Sequence, residues 1–260
     1  MPWVHTGDVA LRYRLRDGSG PTLVLLHEMG GCLESWDAVI AALPADFRCL
    51  AYDARGAGMS EKPVEQPTID ALANDLAGLL AALEIAGPIA LAGCAVGGAT
   101  AIRFAADHPE RVSHLVLFAP ATGIAPDRRE ALRATADAIE REGMGARIAL
   151  RFDHSYPPHY FAGRTDREDV RGRLLQNDPH SYAATHLMLC ELDLTQAMAQ
   201  ITCPTLVVAG AHDGTRPAAL VEPVAAAITG ARFVVIDSGH AMPILSPDAV
   251  ASAIRDHCLA

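Results

Sequence analysis

The sequence predicts an α/β fold: a doubly wound, mostly parallel sheet interrupted late by a helical insertion. Three observations carry this. Six apolar runs lack polar alternation, as suits strands buried on both faces. Helical patterns separate those runs, which is the order of a doubly wound sheet. The segment 122–200 then breaks the alternation and is far too long for an ordinary connection.

The elements follow in order. Residues 3–9 and 10–16 predict a hairpin forming an antiparallel edge. Thr22–Leu26 is the first buried strand, ending at His27. Trp36, Val39, Ile40 and Leu43 share one face of a predicted helix over 34–43. Arg48–Tyr52 is the next strand. Leu72, Leu76, Leu79, Leu80 and Leu83 then stripe a helix over 69–83. A strand at 88–92, a helix at 99–107 and a strand at 114–118 follow. The insertion is helical, rich in Arg, His and Tyr, and broken by Pro157-Pro158 and Asn177-Asp178-Pro179. Strands at 205–209 and Arg232–Ile236 and a helix at 249–257 close the chain. The core is therefore expected over 1–121 and 201–260, with 122–200 as the inserted subdomain.

Composition narrows the function. Of 260 residues, 50% are hydrophobic and 20% charged, which excludes global disorder. The net charge of −10 argues against a nucleic-acid partner. Lys62 is the only lysine. The six cysteines have no paired spacing, so neither a zinc site nor a disulfide framework is expected, and a reducing cytoplasm fits. No run approaches the length of a membrane span.

Three signals fall at strand ends, where open α/β sheets bind ligands. Gly93-Cys94-Ala95-Val96-Gly97 follows a strand and opens a helix. Its small residues permit a sharp turn that projects the middle side chain, a serine in the G-x-S-x-G nucleophile elbow and here Ala95. Asp213 and His240 each follow a later strand. The first strand runs into His27-Glu28-Met29-Gly30-Gly31; amides of Met29 and Val96 could together hold an oxyanion. A glycine-rich turn, Asp53-Ala54-Arg55-Gly56-Ala57-Gly58-Met59-Ser60, follows the next strand.

Through these motifs nearly the whole chain resembles the α/β-hydrolases, particularly bacterial 3-oxoadipate enol-lactonases and meta-cleavage-product hydrolases. The resemblance implies hydrolysis of a small ester, lactone or related acyl substrate by a Ser-His-Asp mechanism, without metal or organic cofactor. It implies catalytic roles for His240 and Asp213, an oxyanion hole at Met29 and Val96, and a helical cap over 122–200. The chain departs from the pattern twice. Glu28 stands where the family has glycine, and could repel an anion, act as an acid or point away. Ala95 stands at the nucleophile position, and a methyl group cannot attack a carbonyl.

Three explanations of Ala95 are open: an engineered Ser→Ala change, a native loss, or a motif shifted so that Cys94 is the nucleophile. The last breaks the small-residue spacing at Val96 and leaves Cys94 a buried apolar residue. Two other functions are open as well. The His240–Asp213 dyad could activate water or a substrate proton directly, as hydrolase or lyase. The chain could also bind a small ligand without turnover.

His27, Asp53 and Arg55 read as braces and His212 as a loop residue. In the insertion, Arg147, Arg151, His154, Tyr156, His159, Tyr160, Arg164 and His186 form a candidate carboxylate-binding set, although a solvated helical surface explains most of them equally. The expected partner is a small molecule, carboxylate-bearing if these arginines line the pocket, and the expected assembly is a monomer or homodimer.

Overall fold

The computed structural model describes residues 2–259; Met1 and Ala260, at the ends of the expected core, lie outside them. Eight strands form one sheet: β1 (Trp3–Thr6), β2 (Val9–Arg16), β3 (Thr22–Leu26), β4 (Arg48–Tyr52), β5 (Ile89–Cys94), β6 (Val112–Phe118), β7 (Thr205–Gly210) and β8 (Arg232–Ile236). Their spatial order is β1-β2-β4-β3-β5-β6-β7-β8. The β1–β2 hairpin adds antiparallel to β4, and the remaining pairings are parallel. Strands β3 to β7 are mostly buried on both faces, which is why their sequences are continuous apolar runs, whereas the edge strand β8 is partly exposed.

The helices are α1 (Asp37–Ala42), α2 (Ile69–Ala82), α3 (Val96–Asp107), α4 (Pro126–Glu142), α5 (Met144–Ser155), α6 (Arg167–Leu175), α7 (Pro179–Glu191), α8 (Thr195–Gln200), α9 (Ala218–Ala226), α10 (Met242–Leu245) and α11 (Pro247–Cys258). Thr68 caps α2 by accepting from the Ala71 amide, and Asp178 caps α7 by accepting from Ser181. None of the described helices is long and apolar enough to cross a membrane.

Two helical expectations are corrected. The segment predicted as one helix over 34–43 is a 3-10 turn, Leu33–Trp36, followed by the short α1. The helix predicted from residue 99 starts at Val96, because the sharp turn at Ala95 places the first turn directly on the strand end. The α9 helix was not anticipated; Pro223 inside it reads as a breaker.

Chain order sets the position of the site. From β4 the chain crosses β3 and returns as β5 on its other side, so the C-terminal ends of β3 and β5 are neighbours, Leu26 opposite Gly93. This is a topological switch point, where such sheets bind ligands. The insertion has its own apolar cluster, in which Ile139, Phe152, Tyr156, Phe161, Leu174 and Tyr182 pack with Ala241, Ile244 and Leu245 of the segment after His240. Helix α4 lies along α7, whereas α8 packs on α3.

Candidate active site

The elbow retains a nucleophile's geometry around a residue that has none. Ala95 has φ 50° and ψ −111°, a conformation that L residues rarely adopt. Its surroundings enforce it. The Ala95 amide donates to the Phe118 carbonyl at 2.9 Å, and its own carbonyl accepts from Ala121 at 2.9 Å and Ala99 at 3.1 Å. Glycine is needed on both sides: a Cβ at Gly93 would strike the Gly97 carbonyl, and one at Gly97 would strike that of Leu26. The latter contact brings the elbow against the loop leaving β3.

That loop is locked. His27 Nε2 accepts from the Ala54 amide at 3.1 Å, so its Nδ1 carries the proton and donates to the Glu28 carbonyl at 2.7 Å. Beyond it, among the described residues, neither the Met29 nor the Val96 amide donates to another protein group. Both expected oxyanion donors are therefore free.

The acid–base couple is assembled from the ends of β7 and β8. His240 Nδ1 lies 2.7 Å from Asp213 Oδ2. The other carboxylate oxygen accepts from the amides of Thr215 and Arg216, each at 2.8 Å. Asp213 is thus held by three donors. It fixes His240 with the proton on Nδ1 and leaves Nε2 as a base. Asp213 is fully buried and the His240 side chain 19% exposed, so a small molecule reaches only the imidazole. The two loops are joined by Ala211 donating to Ile236 and His212 to Ser238, each at 2.9 Å. His212 itself forms an exposed pair with Asp237 and belongs to the surface.

Cys94 cannot substitute for a serine. It is fully buried, its Sγ lies 3.7 Å from the His240 carbonyl, and burial with the charges of Glu28 and Asp213 pushes the thiol far above its usual range. Without thiolate it is inert.

The candidates in the insertion divide by environment. Arg151, His154 and His159 are exposed. Even so, the His154 ring lies against Gly214, beside Asp213, and Tyr160 lies against Gly239, beside His240. The Tyr160 hydroxyl is buried without a partner. Arg164 is committed to Asp166 and the Ile244 carbonyl. Tyr156 is buried, and desolvation, followed by the charge of Glu28, keeps its phenol protonated. Arg147 differs from the exposed Arg151 and the committed Arg164. Its Nε donates to the Tyr182 hydroxyl and its Nη2 to Ser155 Oγ, both at 3.0 Å, while Nη1 is buried and unpartnered. No carboxylate pairs with it among the described residues. Tyr182 and Ser155 were not singled out from sequence; Tyr182 lies one helical turn before His186, a spacing that could have flagged it.

His186 is buried, with both ring nitrogens unpartnered. Burial, then the charges of Arg147 and Arg151, lowers its pKa to about 4. Between that value and its ordinary 6.5, the unfolded chain binds a proton that the folded chain refuses. Stability therefore falls as pH falls through this window, by up to about 1.4 kcal/mol per pH unit. Urea midpoints of the chain and of His186→Phe at about pH 7 and pH 5 check this. The variant should lose less stability on acidification, and an equal loss would contradict the assignment.

One group could hold a metal by composition: donor atoms of Cys32, Glu34 and Asp53 lie within 4.8 Å of one another. The Arg12 guanidinium already bonds both carboxylates, at 2.6 Å to Glu34 and 2.7 Å to Asp53, and burial keeps the Cys32 thiol protonated. The cluster is a brace. Arg55 likewise makes a two-pronged pair with Asp75 of α2, each contact 2.6 Å.

A strained elbow at a switch point, a carboxylate-oriented imidazole and two free amides thus lie together at one edge of the sheet. The sequence profile of the alpha/beta hydrolase fold matches residues 21–247, and the chain belongs to that family. The enol-lactonase of Burkholderia xenovorans LB400 superposes with a TM-score of 0.91 at 29% identity, covering 100% of both chains. A thermophilic esterase from Thermogutta terrifontis, solved with malate bound, gives 0.86 at 30% identity over 98% of this chain and 96% of its own. The 3-oxoadipate enol-lactonase 2 of Acinetobacter baylyi is 26% identical over 250 residues, 95% of this chain and 92% of the relative.

Proposed function

We propose that the chain is a hydrolase of small, carboxylate-bearing esters, lactones or related acyl compounds, with a serine-type site that lacks only the nucleophile's hydroxyl. The observation that carries this is the 2.7 Å His240–Asp213 bond beside an elbow still held in its strained conformation. With serine at position 95, the hydroxyl would attack the carbonyl and His240 Nε2 would take its proton. Asp213 would stabilise the imidazolium, and the Met29 and Val96 amides would receive the oxyanion. His240 would then return the proton to the leaving group and activate water for deacylation.

With Ala95 in place, introduced or native, no acyl-enzyme forms. The intact dyad favours a second reading for the chain as it stands. His240 Nε2 takes a proton from water as the water oxygen attacks the carbonyl, whose electrons move to the oxyanion. His240 then returns that proton to the leaving group as the intermediate collapses, without an acyl-enzyme. Binding without turnover is the remaining alternative.

Arg147 supports the carboxylate. Two of its nitrogens are held by neutral hydroxyls and the third is bare and buried, so a half-buried positive charge has no carboxylate counterion among the described residues. A substrate carboxylate would supply it, and the malate-bound esterase relative accommodates a ligand of that kind.

The experiment compares two para-nitrophenyl esters, the succinate monoester and the butanoate, in the Ala95→Ser background with and without Arg147→Met. Arg147→Met should lower kcat/KM for the succinate ester by about 10- to 100-fold and change the butanoate ester by less than about threefold. Equal losses on both would remove the carboxylate from the proposal.

A further inference from the structure

Glu28 stands immediately before the Met29 amide, and the chemistry above makes no use of it. Its backbone is fixed, the carbonyl accepting from Gly31 at 2.9 Å and from His27 Nδ1 at 2.7 Å. Its side chain is 3% exposed. Oε1 accepts from Ser35 Oγ at 3.1 Å, and Oε2 is buried with no donor at all. Among the described residues Glu28 forms no ion pair. The space around the carboxylate is made for it: a Cβ at Gly31 would meet Glu28 Oε1 at 2.6 Å and Ser35 Oγ at 2.7 Å. Its charge reaches the Cys94 thiol, one residue before Ala95, and the Tyr156 hydroxyl in the insertion, helping to keep both protonated. The carboxylate thus acts on the elbow from one side and on the insertion from the other.

A buried acceptor without a donor is destabilising, and such groups persist where a ligand completes them. Beside an oxyanion donor the conflict is sharper. A bare carboxylate oxygen opposes the charge that an attacked carbonyl develops, unless a donor hydrogen is brought between them. A plain alkyl acyl group brings none.

We infer that Glu28 is a specificity residue whose Oε2 accepts a hydrogen bond from an N–H or O–H on the atom next to the substrate's reacting carbonyl. The substrate class narrows from acyl compounds in general to those carrying a hydroxyl, amine or amide beside the carbonyl. This inference rests on the site assignment of the proposed function.

The test uses methyl lactate and methyl propanoate, which differ only in that hydroxyl. In the Ala95→Ser background the lactate ester should be favoured in kcat/KM by about 10- to 100-fold. Glu28→Gly should bring the ratio to about one, and Glu28→Gln, which keeps an acceptor oxygen, should retain part of it. An unchanged ratio in Glu28→Gly overturns the inference; should that variant not fold, an undiminished ratio in Glu28→Gln combined with Ser35→Ala does so. A separate arm does not need turnover. The chain with Ala95 is titrated by calorimetry with lactamide and propanamide. Tighter lactamide binding that disappears in Glu28→Gly upholds the role of Glu28 even if Ala95→Ser proves inactive, which would defeat the proposed mechanism alone. Equal affinities for the two amides count against Glu28.

Discussion

Ala95→Ser is expected to raise kcat/KM toward a small activated ester by about a thousandfold or more, since loss of a triad serine removes several orders of magnitude. The gain should be large because little else has to change. The residue already has a Cβ, projected from a backbone at φ 50° that hydrogen bonds to Phe118, Ala99 and Ala121 hold in place. The hydroxyl adds one atom, at the side of the turn facing the substrate. Its base is already oriented by Asp213 at 2.7 Å. Adding His240→Ala should return the rate to that of the parent chain, because nucleophile and base act as a unit. Stopped-flow or plate kinetics with para-nitrophenyl acetate suffice. A rate unchanged by Ala95→Ser, in a protein that melts at the parent temperature, would show that the elbow no longer serves serine chemistry. The water-attack mechanism would then stand in its place.

Asp53→Ala should destabilise the fold by about 3–5 kcal/mol, the loss expected when one partner of a buried ion pair is removed. Asp53 is wholly buried and its carboxylate accepts four bonds: from Arg12 Nε at 2.7 Å and Nη2 at 3.1 Å, and from the Leu33 and Met59 amides at 2.7 Å each. These donors belong to the edge hairpin, the turn before α1 and the glycine turn after β4. One carboxylate therefore joins three segments, and its removal leaves the Arg12 charge, at 3% exposure, with the partly solvated Glu34 in place of a two-pronged buried carboxylate. Gly58, at φ 50°, packs its Cα so closely on this carboxylate that a Cβ would collide with it. Glu34, the other partner of Arg12, is 24% exposed and partly solvated, so Glu34→Gln should lose less than about 1 kcal/mol. Urea unfolding of the two variants measures the contrast. Similar small losses for both would mean that the hairpin is held by packing alone.

The sheet was legible because parallel strands buried on both faces must be apolar throughout, and the runs at Thr22–Leu26 and Arg48–Tyr52 coincide with strands to the residue, as does the partly exposed edge strand Arg232–Ile236. Helix α3 was less legible at its start. Val96-Gly97-Gly98 has poor helix propensity, and the helix begins there because the elbow and the β3 loop fix it from outside. Helix α9 was hidden by Pro223. Asp213 and His240 stood out by their place just after strands, and the structure brings them within 2.7 Å of each other. Side-chain partnerships in the insertion were not legible. That Arg147 has two neutral partners while Arg164 is spent on Asp166 depends on how α5, α6 and α7 stack, and no local spacing encodes it. The same holds for Asp53: a brace could be read from its turn, but its partner Arg12 lies 41 residues earlier and meets it only through sheet pairing.

The proposed site lacks nothing but a hydroxyl. This is tested most directly by treating the chain and its Ala95→Ser form with a fluorophosphonate and recording intact masses. A single adduct is expected on the Ala95→Ser protein, none on the parent, and none once His240→Ala is added. No adduct on Ala95→Ser, or one that persists without His240, would contradict it.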